Sequence, residues 1–159
     1  MLGGQIETIR QACAAWSRGD ISIYREMYTP DVVASGGRLW PEGEGSVEGV
    51  DEVIRNFESL LAAFERSELV PEAYAQEGDS VVVRLLWRGL VRGSETQVEQ
   101  RLTCAYRFRG DLIAYTAWFA ELAEALDAVG MPASAAEQLV PIEADLLLAD
   151  AARPAAPAR

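Results

Sequence analysis

The sequence lacks histidine and lysine altogether, so all 14 basic side chains among its 159 residues are arginines. Histidine is the most frequent general base in enzymes and a frequent zinc ligand, and lysine is the residue that forms Schiff bases. Their absence excludes serine–histidine–aspartate triads, histidine metal sites and lysine-based covalent catalysis. Carboxylates, phenols, thiols, amides and guanidinium groups remain, and we predict that the protein uses neither a metal nor a cofactor.

Cysteine is scarce as well. Cys13 and Cys104 are the only two cysteines, and each is predicted on the apolar side of its helix or strand. We therefore expect two buried free thiols rather than a disulfide. Because the sequence contains no Cys-x-x-Cys motif, it offers no zinc site of that type.

An excess of positive charge and long apolar runs are also missing. The formal net charge is −11, which argues against a nucleic-acid partner and against an anionic membrane surface, because both need basic patches. No apolar stretch approaches the ~20 residues that a membrane-spanning helix needs. Met1–Gln5 contains no basic segment followed by an apolar stretch, so we predict no signal peptide and a cytoplasmic protein.

Half of the residues are hydrophobic, which in a chain of this length suffices for one domain with a real core. Between residues 80 and 119, apolar and polar side chains alternate in three successive segments. This alternation predicts three antiparallel strands joined by tight turns at Gly93 and Gly110. One face is predicted to form an apolar concave wall from Val81, Val83, Leu85, Trp87, Val98, Gln100, Leu102, Cys104, Tyr106, Phe108, Ile113, Tyr115, Ala117 and Phe119.

The spacing of apolar residues predicts helices over residues 3–18, 50–66 and 120–129, and a short helix that contains Tyr24 and Tyr28. The remaining predicted elements are strands at 32–34 and 69–76 and a loop with five glycines at 35–49. Pro71 suggests an edge or a bulge in the second of these strands.

The composition changes after Gly130. We predict a main domain at 1–130, a C-terminal helical extension at 131–152, and a disordered Ala- and Pro-rich tail at 153–159. No internal repeat is found.

Short motifs follow one another in a fixed order, namely Gly19-Asp20, Met27–Val33, Gly45–Gly49, Val83-Arg84, Gly89, Gly93, Tyr106–Ile113 and Trp118-Phe119. With this order and spacing, residues 5–130 resemble the SnoaL-like (polyketide cyclase-like) branch of the nuclear-transport-factor-2-like superfamily. The resemblance implies an α+β fold in which N-terminal helices wrap a cone-shaped, curved antiparallel sheet, also called a cystatin-like roll.

The resemblance also shows which catalytic groups are missing. Ketosteroid isomerases of this fold use a tyrosine, an aspartate base and a carboxylic acid at positions that here hold Ala12, Gly36 and Cys104. Limonene-type epoxide hydrolases and many SnoaL-like cyclases use aspartates at positions that here hold Ala117 and Ala120. None of the carboxylates of these schemes is therefore present in the sequence.

The polar residues of the predicted wall and of the loop are the remaining candidates for a site. As catalytic residues we predict Gln100, Tyr106, Glu42 and Glu44, the two glutamates acting if the loop folds over the pocket. The predicted ligand-binding residues are Tyr24, Tyr28, Trp40, Leu85, Trp87, Leu102, Cys104, Tyr115 and Phe119. The alternative that each tyrosine and Cys104 only fill the hydrophobic core stays open.

Three functions compete at this point. The first is an enzyme of secondary metabolism, of cyclase, isomerase or hydrolase type, that acts on an apolar oxygenated small molecule. The second is a non-catalytic protein that binds a hydrophobic ligand, and the third is an interaction module that uses the outer sheet face. Leu86 and Trp118 are predicted on that outer face among arginines, so we also predict a homodimer through it.

Overall fold

The computed structural model describes residues 2–36 and 45–142, with side chains described from Gly4 onward. Trp40, Glu42, Glu44 and the predicted tail at 153–159 lie outside these residues. The described helices are α1 (Leu2–Arg18), α2 (Tyr24–Met27), α3 (Val50–Ala62), α4 (Leu122–Ala128) and a 3-10 helix (Ala133–Gln138). The described strands are β1 (Tyr28–Ser35), β2 (Ser46–Glu48), β3 (Phe64–Glu77), β4 (Ser80–Val91), β5 (Gln97–Arg109), β6 (Leu112–Phe119) and β7 (Val140–Pro141).

These strands form one sheet in the order β2-β1-β6-β5-β4-β3-β7. Neighbouring strands are antiparallel, with the exception of the parallel pair β1 and β6. The predicted α+β fold, with N-terminal helices against a curved sheet, is confirmed. The sheet is mixed rather than fully antiparallel, because β1 joins it beside the last long strand.

The first core lies between α1, α3 and one face of the sheet, a space that we call the cone interior. Ile9, Cys13 and Trp16 of α1 recur at helical spacing and are all buried there, together with Phe57 of α3. Burying a side chain of the size of Phe57 stabilises the fold by roughly 1.5–3 kcal/mol. This apolar stripe therefore fixes how the two helices lie on the sheet.

A second core lies on the other face of the sheet, under α4. Val82 and Ala105 of the sheet pack there against Ala125 and Leu126 of α4. The small alanines on both sides let the helix lie close to the strands. After α4 the chain returns to the sheet, where β7 pairs with β3, so the described part of the predicted extension is joined to the main domain.

The predicted face assignment is confirmed for β4 and β5. Val83 and Leu85 of β4, and Leu102 and Tyr106 of β5, are all buried in the cone interior. Arg107 of β5 is exposed. The period-two alternation thus identified the register of these two strands correctly.

The face assignment of β6 is wrong from Ala114 onward. Phe108 pairs with Ile113, whereas Arg107 pairs with Tyr115, so Ala114 is the extra residue of a β-bulge. One extra residue turns every later side chain of the strand to the opposite face.

As a consequence, Thr116 and Trp118 face the cone interior, since Thr116 contacts Cys104 and Trp118 packs in the first core. Tyr115 and Phe119, which were predicted in the pocket wall, pack against the second core instead.

Helix α3 ends four residues earlier than predicted, and β3 begins at Phe64. Arg92 explains this boundary, because its side chain donates hydrogen bonds to the carbonyls of Ala62 and Phe64, both at 2.9 Å. Its backbone N–H donates to the carbonyl of Ala63 at 3.0 Å. The bulge suggested by Pro71 is present, as the β3–β4 register shifts after that residue.

The homodimer stays a prediction, but one of the two residues on which it was based does not lie on the outer face. Trp118 belongs to the core and not to the outer face, so only half-buried Leu86 remains of that argument. Within the described residues, no helix is long and apolar enough to cross a membrane.

We expect Trp118→Ala to lower the free energy of unfolding by about 3 kcal/mol, because it removes a large ring from a packed aromatic cluster. Leu86→Ala, on the outer face, should cost about 1 kcal/mol or less. Urea denaturation followed by far-UV circular dichroism measures both. Equal and small losses for the two variants would contradict the placement of Trp118 in the core.

Candidate functional site

Most of the predicted ligand-binding residues meet in the cone interior. Leu85, Leu102, Cys104 and Tyr106 come from adjacent strands β4 and β5, and α2 with the start of β1 adds Tyr24 and Tyr28. All six side chains are buried in one cluster. The sequence therefore predicted the strand part of this wall, since Leu85, Leu102, Cys104 and Tyr106 lie on the face to which they were assigned.

A group of tyrosines and thiols forms the polar part of the cluster, and we call it the cone floor: Cys13, Tyr24, Tyr28, Cys104, Tyr106 and Thr116. The Sγ of Cys104 lies 3.3 Å from Oγ1 of Thr116, and the phenol of Tyr106 lies beside the same thiol. The ring centroids of Tyr24 and Tyr28 are 5.2 Å apart.

The three phenols of the cone floor differ in what they can still bind. Tyr24 donates its hydroxyl to the carbonyl of Ala12 at 2.7 Å, so that proton is already used. The hydroxyls of Tyr28 and Tyr106 form no hydrogen bond to a nitrogen or oxygen atom of the described residues. The phenol of Tyr28 can therefore donate to an oxygen atom of a ligand, and that of Tyr106 can do so in place of its weak hydrogen bond with the thiol of Cys104.

Burial keeps the whole cone floor uncharged. It raises the pKa of Tyr24, Tyr28 and Tyr106 well above the usual value for tyrosine, and the neighbouring thiols raise it further. The pKa of Cys13 is also raised by burial. Burial raises the pKa of Cys104 to about 11, although hydrogen bonds from Thr116 and its neighbours work in the opposite direction. At neutral pH these groups are proton donors and not bases.

An aromatic layer borders the cone floor. The rings of Phe57 and Trp118 are stacked with centroids 5.5 Å apart and planes at 10°. Trp16 meets both rings edge-on, at 5.6 Å from Phe57 and 5.3 Å from Trp118. The layer joins α1, α3 and β6, and it forms one wall of the cone interior.

Trp87 lies at the edge of this layer and is half-buried. Its ring meets that of Phe64 edge-on, with centroids 5.3 Å apart. Its indole N–H donates to Oγ of Ser67 at 2.8 Å. Trp87 is therefore placed on the predicted face, but its polar atom is turned to Ser67.

Gln100 lies on the predicted face but is exposed. From Gln97 to Arg101 no residue on either face of the strand is buried. This end of β5 therefore extends beyond the helices that cover the rest of the inner face. A side chain in that position does not line a closed apolar pocket. A buried amide would need a hydrogen-bond partner, but the exposed amide of Gln100 can be satisfied by water.

The loop candidates Trp40, Glu42 and Glu44 lie outside the described residues, and their roles stay predictions. Of the charged side chains that the structure describes, none is buried. No group of three or more cysteine, aspartate or glutamate side chains that could hold a metal ion is found in the described part of the chain.

The comparisons with known proteins agree with this fold. The family model for the SnoaL-like domain matches residues 9–116. The chain belongs to the SnoaL-like domain family.

Three solved structures that are similar to this SnoaL-like chain share 20–21% sequence identity with it. A putative SnoaL-like polyketide cyclase from Jannaschia sp. CCS1 is 21% identical, with a TM-score of 0.66 over 82% of this chain and 94% of that protein. An NTF2-like protein of unknown function from Burkholderia pseudomallei is 20% identical, with a TM-score of 0.66 over 78% and 95%.

IdmH, a putative polyketide cyclase from Streptomyces antibioticus, is also similar, at 20% identity and a TM-score of 0.62 over 80% of this chain and 99% of that protein. At these identities the structural likeness shows the fold. We found no significant match among curated proteins.

Sequence analysis did not identify three residues as part of a site. Thr116 and Trp118 were placed on the outer face because the bulge was not foreseen, and Ser67 was not considered at all. The size of the indole of Trp118 was the available signal, since so large an apolar surface is costly to leave in water on a strand face.

We expect the stability of the protein to fall at alkaline pH. The unfolded chain releases the protons of its thiols and phenols near their ordinary pKa values, whereas the folded cone floor retains them. Above those pKa values the unfolded state binds fewer protons and is therefore stabilised relative to the folded state. For Cys104 the contribution is complete below pH 9.0 and is lost as the pH rises towards about 11.

Each such group lowers the free energy of unfolding by about 1.4 kcal/mol per pH unit in its window. Cys104→Ala should therefore lose less stability between these pH values than the wild type does, whatever its stability at neutral pH. Urea titrations in the presence of a reductant measure the two slopes. Identical slopes would show that the thiol titrates normally in the folded state.

Proposed function

We propose that this SnoaL-like protein binds an apolar, oxygenated small molecule in the cone interior and acts on it as an enzyme of cyclase or isomerase type. The neutral, buried phenols of Tyr28 and Tyr106 carry the proposal. A buried donor next to apolar side chains suits a carbonyl oxygen, which accepts a hydrogen bond but carries no full charge. The similarity to putative polyketide cyclases supports the same class of substrate.

The proposed chemistry follows from the charge state of the cone floor. When a proton leaves the carbon next to a carbonyl group, negative charge moves to the carbonyl oxygen. Hydrogen bonds from Tyr28 and Tyr106 would stabilise that enolate more strongly than the ketone, because the pair becomes charge-assisted. Such preorganised donors lower the barrier to enolisation, the step that cyclisation and isomerisation of ketones share.

The base must come from elsewhere, since the described groups of the cone floor are protonated at neutral pH. Glu42 and Glu44 of the loop are the proposed bases. A carboxylate that accepts the proton becomes a neutral acid, and it can return the proton to another carbon of the substrate. Desolvation would raise the pKa of such a glutamate towards neutral pH, where a general base works best.

Non-catalytic binding of a hydrophobic ligand is the second candidate function. It is favoured by the lack of any buried charged side chain among the described residues. It uses the same apolar wall and the same phenols, but no proton transfer. Binding and enolisation must therefore be measured separately.

Acetonaphthone is a suitable probe for binding, because it is apolar and has one carbonyl acceptor. We expect Tyr106→Phe to weaken its binding about tenfold, the equivalent of one hydrogen bond of about 1.4 kcal/mol. Ethylnaphthalene, which lacks the oxygen, should bind both proteins equally. Tyr115→Phe is the matched control, since it removes the same hydroxyl from the opposite face. Quenching of tryptophan fluorescence gives the dissociation constants, and an equal loss for both ligands would refute the carbonyl contact.

Exchange of the methyl protons of acetonaphthone in heavy water distinguishes the enzyme from the binding protein. We expect the wild type to accelerate this exchange, with a rate that rises with pH as the base loses its proton. Glu42→Gln or Glu44→Gln should lower the rate about a hundredfold, the usual contribution of a general base. NMR follows the methyl signal. Binding without accelerated exchange would favour the non-catalytic function, and full exchange in both variants would refute the loop base.

A further inference from the structure

Ser67 holds an unusual set of hydrogen bonds at the edge of the cone. Its Oγ accepts the indole N–H of Trp16 at 2.9 Å and the indole N–H of Trp87 at 2.8 Å. The side chain comes from the start of β3, and Ser67 is only 5% exposed. Nearby, Oγ of Ser17 accepts the backbone N–H of Leu69 at 3.0 Å, which fixes the end of α1 to the same strand.

These contacts determine what the hydroxyl of Ser67 can do. An indole N–H can only donate, whereas a hydroxyl has two lone pairs and one proton. Both lone pairs of Ser67 are occupied by the two indoles, so its own proton remains the only group with which it can bind a ligand. No nitrogen or oxygen acceptor of the described residues receives that proton. Ser67 is thus a buried donor whose direction is fixed by two tryptophans.

Ser67 is part of the lining of a cleft of about 500 Å³. It is bounded by the end of α1, the α1–α2 connection, the end of α3 and the start of β3, and Trp16, Leu61, Phe64 and Ser67 are part of its lining. The volume falls within the range of small-molecule sites. No residue of the cone floor lines the cleft, because Trp16 lies between them.

The charges around the cleft balance. Arg18, Arg66 and Arg92 contribute three positive charges, and Asp20, Glu58 and Glu65 contribute three negative ones. Asp20 accepts hydrogen bonds from the backbone N–H and the hydroxyl of Ser22, and Arg92 is held by backbone carbonyls. The rim therefore favours neither an anion nor a cation.

We propose that this cleft is a second ligand site, which binds a small, flat, neutral molecule through an acceptor oxygen that receives the proton of Ser67. The aromatic residues Trp16 and Phe64 in the lining suit an aromatic or conjugated body. A ketone, ester or amide oxygen fits the donor, whereas an N–H group does not, because Ser67 has no lone pair left. The site does not depend on the cone floor, so it stands whether or not the proposed function is correct.

Acetophenone and indole are matched probes for this selectivity. They have the same number of heavy atoms and similar flat shapes, but acetophenone only accepts a hydrogen bond and indole only donates one. We expect acetophenone to bind the wild type about fivefold more tightly than indole, the usual effect of one hydrogen bond. Titrations followed by the indole N–H signals of Trp16 and Trp87 in nitrogen-edited NMR spectra measure both affinities at the site itself.

Trp87→Phe tests the mechanism of the selectivity. It frees one lone pair of Ser67, so indole should gain affinity relative to the wild type and the preference for acetophenone should shrink. A purely structural role of Trp87 would weaken both probes alike. Ser67→Ala should lose the preference altogether, and exposed Ser134→Ala is its control. Because Ser67→Ala leaves two indoles without an acceptor, Trp87→Phe is the variant that remains informative if Ser67→Ala does not fold.

Each outcome decides the proposal. Preferential binding of acetophenone, with shifts of both indole signals and a reduced preference in Trp87→Phe, supports it. Equal affinities for the two probes, shifts at neither tryptophan, or a preference unchanged in Trp87→Phe would overturn it. Tyr106→Phe should leave the cleft affinities unchanged, so failure at the cleft and failure in the cone are told apart.

Discussion

The stacked pair of Phe57 and Trp118, with Trp16 edge-on to both, is the contact on which the rest of the structure depends. It joins the first helix, the third helix and the last long strand, three elements that are far apart in the sequence. Aromatic pairs of this geometry contribute about 0.5–1.5 kcal/mol each beyond the area that they bury. The layer also separates the two places where we propose that small molecules bind, the cone floor and the cleft at Ser67.

The bulge at Ala114 is what brings Trp118 into that layer. Without it, the alternation that begins at Ile113 would turn Tyr115 and Phe119 inward and Trp118 outward. The cone would then contain one more phenol and lack the ring that stacks on Phe57. A single extra residue therefore determines both the packing of the helices and the chemistry of the interior.

Sequence reasoning succeeded where one face of a strand is clearly apolar. In β4 and β5 the alternation is clean, and the buried positions of Leu85, Leu102 and Tyr106 followed from it. The segment from Leu112 to Phe119 is apolar on both faces, so both registers satisfy the hydrophobic pattern and the bulge leaves no mark in it. The expectation that Gln100 lines a covered wall was wrong for another reason. Alternation gives the face on which a residue lies, but it does not show whether a helix covers that residue.

The contact between α4 and the sheet has a consequence for assembly. Ala105, Ala125 and Leu126 close off one end of the outer face with the protein's own chain. Any second molecule that approaches this face is restricted to the other end, around Leu86 and the ladder of Glu68, Arg88 and Glu99. The ladder alternates in charge across the three strands, so a symmetric copy placed there must align unlike charges, and this sets its register.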